Sequence, residues 1–466
     1  MRAPPCPLRQ PAPPSRPVRP AVRPHPRTEL ALSHPLASSH PQPAARTTAD
    51  GAEPARPHVV LGVDLTAAGA RPGSHHLHGA VAPRPFDAER FVHLVRTADQ
   101  GLLDLVTLDE GFLLHPGRRR VPGRLDAAVA AARVAPLTSG VGLVAAVEAV
   151  HVDPGHVAAA IARVDRTSGG RAGWQVGRPA DGASPDQQWA SRAASSVAQV
   201  ARLWDAGASE TAEVGVDGRV RVDHDGIRFA VRRPQASGAP LPQGRPPVVV
   251  RAHEEEGAQV AAATADVVRL RVTDAARAAR LRALVREAAQ AAGRHPDDVK
   301  VLVDAYVVLA AEPESARARL ELVEAIEGPD AAGGALVVSG TAADLAAVAT
   351  DWVDAGATDG FVLRPSSLGS DLDTVVGRVV PALQRAGRFR TARPGHGHAG
   401  TLRGALGLPS VLSARAAATA GRTARADRAD QAPAGRAPAG RDGRGGVRRR
   451  DDGGRSPAAR PALVAS

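Results

Sequence analysis

Residues 167–177 read TSGGRAGWQVG. A helical pattern runs into this stretch from Pro154, two consecutive glycines stop it, and the apolar run that follows has the length of a buried strand. The same punctuation recurs along the chain. HVVLGVDL (58–65), LLDLVTL (102–108), GVGLVAAV (140–147), RAGWQV (171–176), PPVVVRA (246–252), DVVRLRV (266–272), VKVLVDAYVVLA (299–310) and GFVLRP (360–365) read as strands. Helical patterns fit 86–101, about 125–135, 154–166, 189–205, 255–264, 274–291, 314–327 and 342–355. The last of these starts on a capping box, Thr341 with Asp344, and stops at Gly356.

Strands that are apolar throughout, nearly all followed by a helix, belong to a parallel sheet covered on both faces. Eight such units close most simply into an α/β fold of the (β/α)8 TIM-barrel type. A doubly wound open sheet is the competing topology, but no GxGxxG follows the first strand, so its nucleotide-binding version has little support. Between 207 and 245 the pattern breaks. Asp217-Gly218 and Asp225-Gly226 each lie between alternating runs there and predict an inserted hairpin region.

The ends of the 466-residue chain lack hydrophobic periodicity. Residues 1–57, rich in Pro, Arg and Ala, and 411–466, rich in Arg, Ala and Gly, are expected to be disordered tails flanking a barrel over 58–410. The tails hold eight and twelve arginines against three and five acidic residues, so a chain of formal net charge +11 has a middle close to neutral. A near-neutral middle in a chain with 2% aromatic residues offers neither a phosphate clamp nor a stacking platform, which argues against specific nucleic-acid recognition. The single cysteine, Cys6, excludes disulfides and cysteine metal sites within the chain, and no HxxxH spacing suggests a histidine one. The head carries no apolar stretch of signal-peptide length and no long apolar run follows, so a cytoplasmic protein without membrane spans is expected.

In a barrel the chemistry sits at the C-terminal ends of the strands. Those ends offer His75 after the first strand, Asp109 and Glu110 after the second, and Ala146 to His156, including His151, after the third. Gln175 and Arg178 follow the fourth, and Arg251, His253 and Glu254 the fifth. Histidines and carboxylates gathered at one mouth suit proton transfer.

VDRTSGGRAGW (164–174) resembles the signature of luciferase-like flavin-dependent monooxygenases, in the branch of nitrilotriacetate and dibenzothiophene-sulfone monooxygenases. LDLVTLDEGF (103–112), APLTSGVGLV (135–144), HVDPGHVAAAIA (151–162), LWD (203–205), PQGRPPVVV (242–250), DGFVLRP (359–365), VPALQRAGRFR (380–390) and TLRGALGLP (401–409) are similar to further segments in the same order. The resemblance implies a barrel that binds reduced FMN delivered by a separate flavin reductase, activates oxygen at the flavin C4a position and oxidises a small organic molecule. Homodimers are common in the family. It implies that Asp109, Glu110, Ala146, Trp174, Gln175, Arg178, Arg251, His253 and Glu254 surround the flavin, with Trp174 and Gln175 leading into the mouth. His75 and His151 are the implied catalytic histidines. The chain departs from the family pattern at Glu110, where Asp is usual, and at Ala146, where Thr or Ser is usual. A His and Tyr pair is replaced near Asp186 and Ala190, and RAHEEEG (251–257) stands where a Ser-rich phosphate loop is typical. Glu254, Glu255 and Glu256 at a helix start repel a phosphate. Two alternatives therefore stay open, a deazaflavin-dependent oxidoreductase of the same superfamily and a barrel that no longer binds flavin.

Overall fold

The computed structural model describes residues 57–66, 88–109, 111–113, 122–124, 126–177, 186–208, 219–224, 227–232, 240–252, 254–327 and 332–413, all within the unit Ala52–Ser466. Eight parallel strands carry the architecture: β1 (Val60–Asp64), β2 (Leu105–Leu108), β3 (Gly142–Glu148), β4 (Ala172–Gly177), β5 (Val248–Ala252), β6 (Val267–Leu270), β7 (Lys300–Leu309) and β8 (Gly360–Pro365). Each pairs with its chain neighbours, and β8 pairs with β1 from Val60↔Gly360 to Val63↔Leu363, so the sheet closes into a (β/α)8 TIM barrel. The open-sheet alternative is thereby removed.

The helices α1 (Ala88–Gln100), α2 (Ala127–Val134), α3 (Pro154–Ser168), α4 (Asp186–Ala208), α5 (Glu255–Thr264), α6 (Ala275–Ala291), α7 (Pro313–Glu327) and α8 (Ala342–Asp354) match the expected spans to within a few residues. Their ends have local causes. Asp153 caps α3 by accepting from the Gly155 and His156 amides, and Pro154 occupies its first turn. At the other end Gly169 takes φ 69°, a left-handed conformation that costs glycine little, and the Gly170 amide returns to the Asp165 carbonyl. The capping box at Thr341 and Asp344 forms in both directions.

Three elements go beyond the expected set. A ninth parallel strand, Leu336–Gly340, pairs with the C-terminal half of β7 between Ala305↔Leu336 and Leu309↔Gly340. The final barrel helix is built from α9 (Ser370–Thr374), a π-helical turn at Val375–Val379, and α10 (Val380–Arg385). A short antiparallel pair, Gly111–Leu113 with Pro122–Arg124, follows β2. In the insertion, Arg219–His224 and Ile227–Arg232 pair antiparallel, as the alternation predicts, while Asp225-Gly226 lies outside the described residues. Asp217-Gly218 lies outside the described residues, as do residues 1–56 and 414–466 of the expected tails.

Two apolar layers hold this together. Outward strand side chains such as Leu61, Val106, Val147, Val250, Val303 and Phe361 bury against the helices. Inside the barrel, Val60, Leu105, Val144, Val249, Val267, Leu302 and Val362 form one ring near the N-terminal ends of the strands, closed from below by Leu402, Leu406 and Leu408. The glycine second in β4 faces this plug: a Cβ at Gly173 would come within 2.8 Å of Val144 Cγ2 and 3.1 Å of Leu402 Cδ2.

Candidate functional site

Side chains alternate across a strand, so the residues two and four positions beyond the apolar ring point into the upper barrel. The next level holds Thr107, Ala146, Gln175, Arg251, Arg269 and Asp304, and the one above it Asp64, Asp109, Glu148 and Arg271. The strands are thus apolar on both faces only in their first half. Toward the C-terminal end the inner face becomes charged, a finding that corrects the expectation of strands apolar throughout.

Arg269 is the hub. It is 1% exposed and donates from Nε to Asp304 Oδ1 at 2.8 Å and from Nη1 to Gln175 Oε1 at 2.5 Å, while Nη2 lies 2.8 Å from the same Asp304 Oδ1 and 3.6 Å from Asp64 Oδ2. A guanidinium buried this deeply is tolerable only with charged partners. Gln175, fixed by its oxygen, keeps its amide nitrogen for other acceptors. On the β2–β5 side Arg251 donates from Nη2 to Asp109 Oδ2 at 2.6 Å. Burial alone would raise the Asp64 carboxyl, but the Arg269 and Arg251 guanidiniums hold it below the usual carboxylate value. Burial likewise opposes the charge on Arg251, and Asp109, Asp304 and Asp64 overcome it, keeping this guanidinium firmly protonated.

Glu148 ends β3 and folds back on its own loop, accepting from the Val150 amide at 2.6 Å and the His151 amide at 2.8 Å. The His151 ring lies with Nδ1 3.5 Å from Glu148 Oε2 and is 65% exposed. Glu254 stands at the N-cap of α5 without a side-chain cap hydrogen bond, and Glu254, Glu255 and Glu256 are all exposed.

The structure therefore brings Asp109, Ala146, Gln175 and Arg251 to one mouth, with His151 and Glu254 on its rim loops. Trp174 requires a correction. It is fully buried on the outer face of β4, donates from Nε1 to the Val147 carbonyl at 3.0 Å and meets Trp204 of α4 edge-on with ring centroids 6.3 Å apart. The strand's alternation that points Gln175 inward necessarily points Trp174 outward. His75, Glu110, Arg178 and His253 lie outside the described residues. Sequence reading missed Asp64, Arg269, Arg271 and Asp304 altogether. The signal was present as charges in phase with the inner valines, two residues apart in VVRLRV and two beyond Leu302 in VLVDA.

A second concavity lies on the opposite face, a cavity of about 280 Å³ lined by Ser139, Gly140, Arg171, Arg390, Arg393 and His396 among others. Its arginines bind the fold together. Arg171 donates to the carbonyls of Ala135, Thr138, Val141 and Ser168, Arg390 pairs with Asp104, and Arg393 with Asp99. No group of three or more His, Cys, Asp or Glu able to hold a metal occurs among the described residues, and none of their helices is long and apolar enough to cross a membrane.

Comparison with known proteins agrees with this geometry. A family described as luciferase-like monooxygenase matches residues 64–375. N-acetyl-S-(2-succino)cysteine monooxygenase of Bacillus subtilis (strain 168) is 25% identical, over 76% of this chain and 98% of its own. Nitrilotriacetate monooxygenase component A of Aminobacter aminovorans is 26% identical, over 75% of this chain and 96% of its own. Among solved structures, EDTA monooxygenase from Chelativorans sp. BNC1 superposes with a TM-score of 0.66 at 22% identity, covering 76% of this chain and 99% of that one, which speaks to the fold alone.

Proposed function

Because the chain belongs to the luciferase-like monooxygenase family, we propose that it is the oxygenase component of a two-component system that oxidises a small organic molecule with reduced FMN. The observation that carries this reading is the donor-rich barrel mouth. Thr107 Oγ1, Arg251 Nε and Arg271 Nε are buried there without a hydrogen-bond partner among the described residues. Buried donors favour a ligand rich in acceptors, and a flavin, with its ring carbonyls, ring nitrogens and phosphate, is such a molecule. A relative named component A supports a separate flavin reductase as transient partner.

Bound in the mouth, reduced flavin would supply the electrons that activate oxygen. The residues of the chain supply the rest. Gln175, its oxygen tied to Arg269, presents an oriented amide, and Arg251, anchored on Asp109, presents a fixed positive charge. Ala146, on the same level of the barrel interior, belongs to the proposed flavin contact. The apolar ring and its leucine plug close the barrel from below, which limits water at the reacting end. His151, held beside Glu148, is positioned to carry a proton to or from bulk water. Glu254 contributes to the rim. His75, Glu110, Arg178 and His253 belong to the same proposal by their places in the chain.

Equilibrium titration with FMN tests the assignment. Gln175→Ala and Arg251→Ala should each weaken binding about tenfold or more, the loss expected for one directed hydrogen bond or ion contact. Unchanged affinity in both would overturn the site.

A further inference from the structure

We propose that the β6–β7 side of the mouth is an oxyanion subsite in which Arg271, beside Arg269 and Arg251, holds a carboxylate or phosphate group of a bound molecule. The proposal rests on the mouth being the ligand site and adds the chemical class of what binds there. Arg269 occupies Asp304 Oδ1, and Arg271 stands 4.0 Å from Oδ2 of the same carboxylate, too far for a hydrogen bond. Arg251 is committed to Asp109. Arg251 Nε and Arg271 Nε are buried without a hydrogen-bond partner among the described residues, whereas Arg269, 1% exposed, has Nη2 ion-paired 2.8 Å from Asp304 Oδ1. Arg364, from β8, spends Nη1 on the Ala332 carbonyl and adds a fourth positive charge. Four arginines face three aspartates, Asp64, Asp109 and Asp304, while the fourth carboxylate of the mouth, Glu148, is turned to the Val150 and His151 amides.

Arg251 and Arg271 keep spare donors while the carboxylates nearest them are engaged elsewhere, Asp304 chiefly by Arg269, so a further anion between them relieves the repulsion of neighbouring guanidiniums. The crowding shows on Arg271, which burial and then the neighbouring Arg364, Arg251 and Arg269 push down to about 10 against the pull of Asp304. The α5 N-terminus competes poorly for the same anion, since Glu254, Glu255 and Glu256 surround it with negative charge. A planar oxyanion matches the fork geometry of arginine, and either a flavin phosphate or a carboxylate on the substrate would present it.

The test uses the full-length protein and two probes, inorganic phosphate and citrate, followed by thermal stabilisation against a sodium chloride control of equal ionic strength. Saturable stabilisation by at least one probe, weakened about tenfold or more in Arg271→Gln, supports the subsite. Arg271→Met, which keeps the apolar stem, gives the same comparison should the glutamine variant melt early. A wild-type protein that responds to neither probe beyond the salt control, or an uncharged variant that binds both as tightly as wild type, overturns it. Parallel titrations with FMN and riboflavin identify the source. A loss in Arg271→Gln confined to FMN places the flavin phosphate there, whereas unchanged FMN with weakened citrate binding places a substrate carboxylate there. Phosphate binding in a protein that takes up neither flavin would overturn the flavin reading and leave the subsite standing.

Discussion

Trp174 and Gln175 are neighbours with opposite fates, because a strand sends adjacent side chains to opposite faces. Trp174→Ala should cost about 3–5 kcal/mol, the range for removing a large buried aromatic side chain, in urea denaturation. At a temperature where the variant is folded, its FMN affinity should equal that of wild type, and a weakened affinity would return Trp174 to the mouth. Asp165 is a second residue whose environment makes a prediction. It is fully buried, accepts from Gln243 Nε2 at 2.6 Å, and has an Oδ2 without a partner. Burial, only partly offset by that hydrogen bond, pushes its carboxyl up to about 6. The folded chain then keeps a proton that the unfolded chain releases near pH 4, so stability falls as pH rises from about 4 to about 6. Asp165→Asn should flatten this part of the stability–pH curve, in which wild type loses ~2–3 kcal/mol, and an unchanged slope would assign the titration elsewhere.

Among the elements, the closing strand pair leaves no space for a side chain at one position. A Cβ at Gly360 would stand 1.9 Å from the Val60 carbonyl oxygen, a backbone atom that cannot turn away. Gly360→Ala should therefore destabilise the barrel by about 3 kcal/mol or more, measured by thermal or urea unfolding, and a loss below ~1 kcal/mol would mean that β1 and β8 are not paired in this register. Most elements were legible in the sequence because their signals are local: Asp153 and Pro154 start α3, Ser168-Gly169-Gly170 stop it, and Thr341 with Asp344 cap α8. The strand Leu336–Gly340 was not. Its sequence LVVSG is short, and the pairing that defines it comes from the far end of β7. The charged upper face of the barrel went unread for a related reason. Arg269 and Asp304 look like interruptions of apolar runs until the phase of Val267 and Leu302 shows them stacked above the inner ring.

For the whole molecule, the barrel depends on chain beyond its eighth helix. Leu402, Leu406 and Leu408 fill the bottom of the interior, and Arg403 ties that segment to Asp266 at 2.8 Å and to the Gln243 side chain through its amide. Removing residues 1–56 and 414–466 should leave a single cooperative melt, whereas ending the chain at 400 should abolish it. A cooperative melt in the shorter chain would contradict the role given to the plug. The family was legible from dispersed segments because those segments build the frame, namely the α3 stop, the strand cores and the plug. The site was legible only in part, since rim residues are read from loops while Arg269, Arg271 and Asp304 are read from strand phase. The central claim is that this frame still holds reduced flavin. An anaerobic fluorescence titration of the full-length protein with reduced FMN tests it most directly. Saturable one-to-one binding in the micromolar range or tighter is the predicted result, and the absence of binding at millimolar reduced FMN would contradict it.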